Sequence, residues 1–311
     1  MRLTRLLGPL IAAMVMATAC TGGSAPRQQH RPTTAAESSI TGIAALTADL
    51  SKQGRADPYY LSLGDSLAQG IQPARAGGDE PTTAGYPDVL AARLRSRLPG
   101  LQLVKLGCSG ETTATMIHGG ICRYQAGSQL AEATAFLRSH RGRVALITID
   151  IGANDPNSCV IGQPVSHMFR CLSGRVTEVQ RNIDTILSRI RSAAGPRVLI
   201  IGMTYYVPEL ALWRRGQGGK QLALLTEGLA AGVDQLLIKR YRQYGARVAN
   251  VFTAFMSADF GRRKSNSLPP NVRRVCALTW MCAPRPQGPN EHANDAGYRV
   301  IAGSFWQAIK D

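Results

Sequence analysis

Short apolar runs that each stop at a glycine constrain this chain more than any other feature. Tyr59-Tyr60-Leu61-Ser62-Leu63 stops at Gly64, Leu101 to Leu106 at Gly107, Val144 to Ile149 just before Gly152, and Arg197 to Ile201 at Gly202. A weaker fifth run spans Arg247 to Val251. A sheet wetted on one face would alternate polar and apolar residues. Nearly unbroken apolar runs instead suit strands covered on both faces, as in a parallel sheet. Helical patterns fill the gaps, at Tyr86 to Leu98 and at Leu130 to Ser139. Val176, Val179, Ile183, Ile186, Leu187 and Ile190 recur at threes and fours until Gly195-Pro196 ends the pattern. Leu222, Leu225, Leu229, Val233, Leu236 and Leu237 repeat it. Both stripes are expected to face the core. Strand and helix in alternation predict a doubly wound α/β sheet, in which ligands sit beyond the carboxyl ends of the strands.

The N-terminal residues follow a different logic. Arg2 and Arg5 precede an apolar stretch from Leu6 to Ala17, and Ala17-Thr18-Ala19-Cys20 closes it. This reads as a bacterial export signal over residues 1–20, similar to a lipoprotein signal in which Cys20 carries lipid after cleavage. The stretch is shorter than the roughly 20 residues a membrane span needs. Residues 21–56, rich in Thr, Ser, Ala, Gln and Gly, read as a flexible tether with a short helix at Ile43 to Leu50. One domain over residues 57–311 is the simplest division.

Charge and cysteines fit an exported chain. There are 36 Lys and Arg against 20 Asp and Glu. Removing residues 1–19 takes away Arg2 and Arg5 and no acid, which leaves 34 against 20, or +14. That excess reads as a solvated surface rather than a polyanion site. With six Phe and three Trp there is no case for a nucleic-acid stacking platform, so no nucleic-acid partner is expected. A monomer is expected. With Cys20 set aside, six cysteines remain, and six allow 15 pairings. They fall in three local couples, so the expected disulfides are Cys108 with Cys122, Cys159 with Cys171, and Cys276 with Cys282. No Cys-x-x-Cys spacing suggests a metal.

Four short motifs sit at or near element ends. Gly64-Asp65-Ser66-Leu67 follows the first strand and offers a hydroxyl on a turn, where a helix-capping Ser is the ordinary alternative. Gly107-Cys108-Ser109-Gly110-Glu111-Thr112 follows the second, and Gly110 lets a backbone N–H approach a ligand closely. Gly152-Ala153-Asn154-Asp155 follows the third and offers an amide donor, or an Asx turn before Pro156. Glu291-His292-Ala293-Asn294-Asp295 precedes a C-terminal amphipathic helix, and His292 suits a general base for Ser66.

Taken together and in this order, the motifs resemble those of the SGNH, or GDSL-type, hydrolase superfamily, over residues 57–311. The six-cysteine layout is similar to that of secreted actinobacterial esterases and lipases of that superfamily. The resemblance implies a three-layer α/β/α sandwich, flavodoxin-like, with about five parallel strands. It implies Ser66 as nucleophile, Gly110 and Asn154 as oxyanion donors, His292 as base, and no cofactor. The expected activity is hydrolysis of a small-molecule or lipid ester by an exported enzyme, held at the outer membrane face through Cys20 or secreted. A carbohydrate O-acetyl esterase and a lysophospholipase or thioesterase are rivals of the same fold. A non-catalytic lipoprotein that binds the envelope is the rival of another class. One departure stands out. Many relatives carry Asp three residues before the His, where this chain has Pro289. Asn290 is neutral and Glu291 is adjacent to the His, so the expectation is that the Pro289 carbonyl orients His292.

Overall fold

In a computed structural model of the chain, residues 57–160, 165–261 and 267–311 are described. The export signal, Cys20, the tether and the short helix at Ile43 to Leu50 lie outside them. The elements run β1 (Tyr59–Gly64), α1 (Ser66–Gln69), β2 (Ile71–Pro73), β3 (Asp79–Pro81), α2 (Tyr86–Arg95), β4 (Gln102–Lys105), α3 (Thr113–His118), α4 (Gln129–Ser139) and β5 (Val144–Asp150). There follow α5 (Asn157–Val160), α6 (Val165–Ala194), β6 (Leu199–Met203), a 3-10 segment (Pro208–Arg215), α7 (Gly216–Gln243), β7 (Arg247–Ala249), α8 (Val251–Ala254), α9 (Pro270–Leu278) and α10 (Asp295–Lys310).

The five expected runs form one parallel sheet in the order β4-β1-β5-β6-β7, flanked by helices, as the α/β/α reading requires. Every residue of β5 is buried, which explains its unbroken apolar run. The one acid in that strand, Asp150, closes it and is also fully buried. A two-stranded antiparallel hairpin, β2 with β3, stands outside the sheet and has no counterpart in the sequence reading.

Three expectations need correction. The segment 152–174, expected as a long stretch that follows a strand end and walls the cleft, contains α5 and the start of α6. Of the α6 stripe, Val179 to Ile190 are buried, but Val176 lies a turn earlier and is exposed. The leucine stripe of α7 faces the core only at its C-terminal end. Leu237 is buried, whereas Leu222, Leu225 and Leu229 are exposed, Leu222 by 51%. The reason is small-residue packing. The N-terminal half of α7 turns Gly219 and Ala223 inward, and a Cβ on Gly219 would meet the Leu212 carbonyl at 2.0 Å. That close approach fixes the helix face and leaves the leucines outside.

Three disulfides join Cys108 to Cys122, Cys159 to Cys171 and Cys276 to Cys282. Each closes a short loop next to one of the motif-bearing turns or the helices that flank it.

Candidate active site

The turn after β1 is built around Gly64. Its φ is +138°, and a Cβ there would meet the Asp150 carbonyl at 2.0 Å, so only glycine fits. One side chain clamps it from both sides. Gln129 Oε1 accepts the Gly64 N–H at 2.7 Å and Gln129 Nε2 donates to the Gly64 carbonyl at 2.9 Å. Asp65 then caps α1, its Oδ1 accepting from the Leu67 N–H at 2.9 Å. Ser66 is therefore the first helical residue and not the cap. Its Oγ is half-buried and bonded to no other group among the described residues.

Beneath this turn lies a carboxyl pair. Asp65 Oδ2 accepts from the Tyr205 hydroxyl at 2.9 Å. Asp150 accepts from the Ala68 N–H at 3.0 Å and from the Tyr86 hydroxyl. Burial pushes both carboxyls upward, and the charge of Asp65 pushes Asp150 further up.

The second and third motifs are tied to the first. Cys108 N–H donates to the Gly64 carbonyl at 3.1 Å. Gly110 has φ +80°, with open space where a side chain would stand, and its N–H has no partner among the described residues. Asn154 Nδ2 donates to the Glu111 carbonyl at 3.0 Å, and the next residue, Asp155, accepts from the Thr113 N–H at 3.0 Å. Gly110 and Asn154 line one hollow of about 390 Å³, together with Thr112, Ala114 and Asn157.

His292 enters from a different part of the fold. It lies on the loop between the 3-10 turn at Trp280–Cys282 and α10, which Asn294 caps through the Gly297 N–H at 3.0 Å. Its carbonyl accepts from the Trp280 N–H, and Thr279 pairs with Ala293. Tyr206 donates to the Glu291 carbonyl at 2.8 Å. The adjacent tyrosines thus hold the two halves of the site, Tyr205 at the Ser66 turn and Tyr206 at the His292 loop. The β2–β3 hairpin packs here too. Trp280 Nε1 donates to Gln72 Oε1 at 3.1 Å, Gln72 Nε2 to Asp295 Oδ1 at 2.8 Å, and the Tyr298 hydroxyl to the Ile71 carbonyl at 2.7 Å.

The expected orienter of His292 is corrected. The imidazole Nδ1 meets Asn290 Oδ1 at 2.9 Å, and not the carbonyl of Pro289. Asn290 reaches it because the same Oδ1 accepts the His292 backbone N–H at 2.9 Å, an Asx turn that folds the side chain back onto the ring. Asn290 Nδ2 donates to Asp79 Oδ1 at 2.7 Å, which fixes which end of the amide faces the His. An amide oxygen only accepts, so Nδ1 is the donor in this contact and Nε2 faces away from it. Pro289 is exposed and lines a second hollow of about 330 Å³ with Met281, Ala211 and Leu212. The segments 203–219 and 252–290 follow strand ends, a position expected to wall the cleft, yet their aromatic side chains Tyr205, Tyr206, Trp213 and Phe255 are buried in the core.

Sequence reasoning missed Gln129, Asp150 and Asp79, and it gave Tyr205 and Tyr206 a place in the cleft wall rather than the hydrogen bonds they make. Only Asp150 left a signal, as a lone acid closing an apolar strand.

A sequence model of the GDSL-like Lipase/Acylhydrolase family matches residues 62–300. The structure is similar to an extracellular lipase from Streptomyces rimosus, with TM-score 0.55 and 18% identity over 81% of this chain and 99% of that one. It is similar to a phospholipase A1 from Streptomyces albidoflavus NA297, with TM-score 0.50 and 17% identity over 81% and 100%. A lipase from a goat rumen metagenome gives TM-score 0.50 and 17% identity over 81% and 97%. At these identities the likeness speaks for the fold. No curated protein sequence matches the chain significantly.

Proposed function

Since the chain belongs to the GDSL-like lipase/acylhydrolase family and is a carboxylic ester hydrolase, we propose that it is an exported serine esterase that works through an acyl-enzyme on Ser66. One observation carries the reading: three motifs far apart in sequence are joined by direct hydrogen bonds, Cys108 N–H to the Gly64 carbonyl and Asn154 Nδ2 to the Glu111 carbonyl. His292 Nε2 takes the Ser66 proton, and Oγ attacks the ester carbonyl. The N–H groups of Ser66 and Gly110 and the second Asn154 amide hydrogen stabilise the tetrahedral oxyanion. Protonated His292 returns its proton to the departing alcohol. Water, activated by the same Nε2, then releases the acid. Loss of one oxyanion donor in such a site costs about 10²–10³ in rate.

The hollow beside Gly110 and Asn154 is at the small end for a ligand pocket, and its walls include Thr112, Ala114 and Asn157. With four of the candidate wall aromatics in the core, this favours a short acyl group over a long lipid chain. Three disulfides support an oxidising compartment, and the relative from Streptomyces rimosus is described as extracellular. Cys20 is the proposed lipid anchor and residues 57–311 the proposed hydrolase domain. A panel of p-nitrophenyl esters of short, medium and long acyl chains, with Ser66→Ala beside the parent, tests the whole reading. Turnover should be highest on short chains and fall at least about 10³-fold in folded Ser66→Ala. Activity retained in that variant would remove Ser66 as nucleophile. On chain expressed with its N-terminal residues, an unmodified Cys20 would remove the anchor.

A further inference from the structure

The proton on His292 Nδ1 rests on Asn290, and Asn290 in turn rests on a carboxylate more than 200 residues away in sequence. We propose that Asp79 supplies the acid of this site. It is a positioning residue that acts on His292 through Asn290, in place of a carboxylate on the His loop itself. The inference rests on the reading of His292 as base.

The hydrogen bonds run in one sense. Asp79 Oδ1 accepts from Asn290 Nδ2 at 2.7 Å, and Asn290 Oδ1 accepts from His292 Nδ1 and from the His292 backbone N–H, both at 2.9 Å. A flipped amide would set its NH₂ against two donors and its oxygen against a carboxylate. Asp79 therefore selects the Asn290 orientation, and through it the His292 tautomer that leaves Nε2 basic. Asp79 Oδ1 also lies 3.7 Å from Nδ1, within ion-pair reach when the imidazole takes the Ser66 proton. No other carboxylate among the described residues stands so close to this ring. Asp65 is occupied by the Leu67 N–H and Tyr205, and Asp295 accepts from Gln72.

The hairpin that carries Asp79 takes no part in the main sheet. Its contacts through Gln72 and Ile71 run to Trp280, Asp295 and Tyr298, residues that frame the His292 loop. A hairpin held this way delivers Asp79 to Asn290. The Asp79 side chain is 41% exposed, against 7% for His292, so solvent weakens its field and its effect is smaller than that of a buried acid.

Four proteins test this with p-nitrophenyl acetate: the parent, Asp79→Asn, Asn290→Asp, and Asp79→Asn combined with Asn290→Asp. Thermal unfolding checks the fold of each. Asp79→Asn should lower kcat on the order of 10-fold and leave KM within about twofold, because the acid acts on the base and not on substrate. The combined variant moves the carboxylate onto the His loop, in direct reach of Nδ1, and should return kcat to within about threefold of the parent. A contact that only props up the hairpin would not be rescued by that exchange. Parental kcat in Asp79→Asn, or a combined variant no faster than Asp79→Asn alone, overturns the proposal. If Asp79→Asn proves unstable, the combined variant decides. His292→Ala keeps the two questions apart: if it abolishes turnover while the Asp79 exchange has no effect, the base stands and only the acid is wrong.

Discussion

The two halves of the site are held in different ways. The Ser66 half is set in the sheet, between β1 and β5, and nearly every polar group around it is buried and paired: Gly64 with Gln129, Asp65 with Leu67 and Tyr205, Asp150 with Ala68 and Tyr86. The His292 half is a loop over the sheet edge, held by a hairpin, a tyrosine hydroxyl and two side chains at the surface, Asn290 and Asp79. In the first half, stability and geometry are the same thing, since a buried group left unpaired costs the fold directly. In the second, geometry can be lost while the fold survives. Changes on the Ser66 side should therefore register first as lost stability, and changes on the His292 side first as lost turnover.

The sharpest way to break that contrast is Gly64→Ala. Its Cβ would run into the Asp150 carbonyl at a backbone angle that alanine avoids, so the variant should lose about 3 kcal/mol or more in urea unfolding. Gly110→Ala has a similar positive φ but open space, and should lose only about 1 kcal/mol. Equal losses would show that the packing under Gly64 does not matter.

A smaller effect comes from Asp234, whose Oδ1 accepts the Tyr205 N–H at 3.0 Å and whose other oxygen is buried without a partner among the described residues. Burial pushes its carboxyl up to about 7. Below about pH 4 the folded and unfolded chains both keep this proton and the group costs nothing. As pH rises from about 4 to about 7 the unfolded chain sheds it first, so stability falls across that window, and above it the penalty is constant. The parent should lose up to a few kcal/mol relative to Asp234→Asn between pH 4 and pH 8, read as the difference in urea midpoints. No pH dependence in that difference would show that Asp234 ionises freely in the fold.

The smallest change tests the other half. Tyr206→Phe removes the bond to the Glu291 carbonyl but keeps the ring that stacks on Phe255 at 4.4 Å. It should cost about 1 kcal/mol in stability and lower kcat several-fold with KM little changed. A loss confined to stability would place the His292 loop under the same regime as Ser66.

This contrast also governs what was readable from sequence. The strands could be read because burial on both faces imposes apolar runs, and the turns that carry the candidate residues Ser66, Gly110 and Asn154 because they follow strand ends. Local couples of cysteines were enough to find the three disulfides. The contacts that hold the His292 ring were not readable. Proximity along the chain pointed to Pro289, whereas the structure uses an Asx turn at Asn290 and a side chain from residue 79. Nothing local to β3 marks Asp79, because its partner lies across the fold. The exposed leucines of α7 failed for the opposite reason. Periodicity finds a stripe, but the close packing of Gly219 and Ala223 decided which way the helix turned.

The bonds from β2 to the C-terminal helix also set a clock. Tyr298 reaches back to Ile71 across 227 residues, and Trp280 to Gln72 across 208. A chain made from its N-terminus has Ser66, Gly110 and Asn154 long before it has His292 or the helix that frames it. On the proposed roles, the Ser66 half can be assembled while His292 is still unmade, so the growing polypeptide carries the serine without its proposed base. On the proposed mechanism, hydrolysis begins only once the last residues have made these bonds, which close long stretches of chain and are costly and slow to form. An ester hydrolase built this way is silent for the whole of its own synthesis.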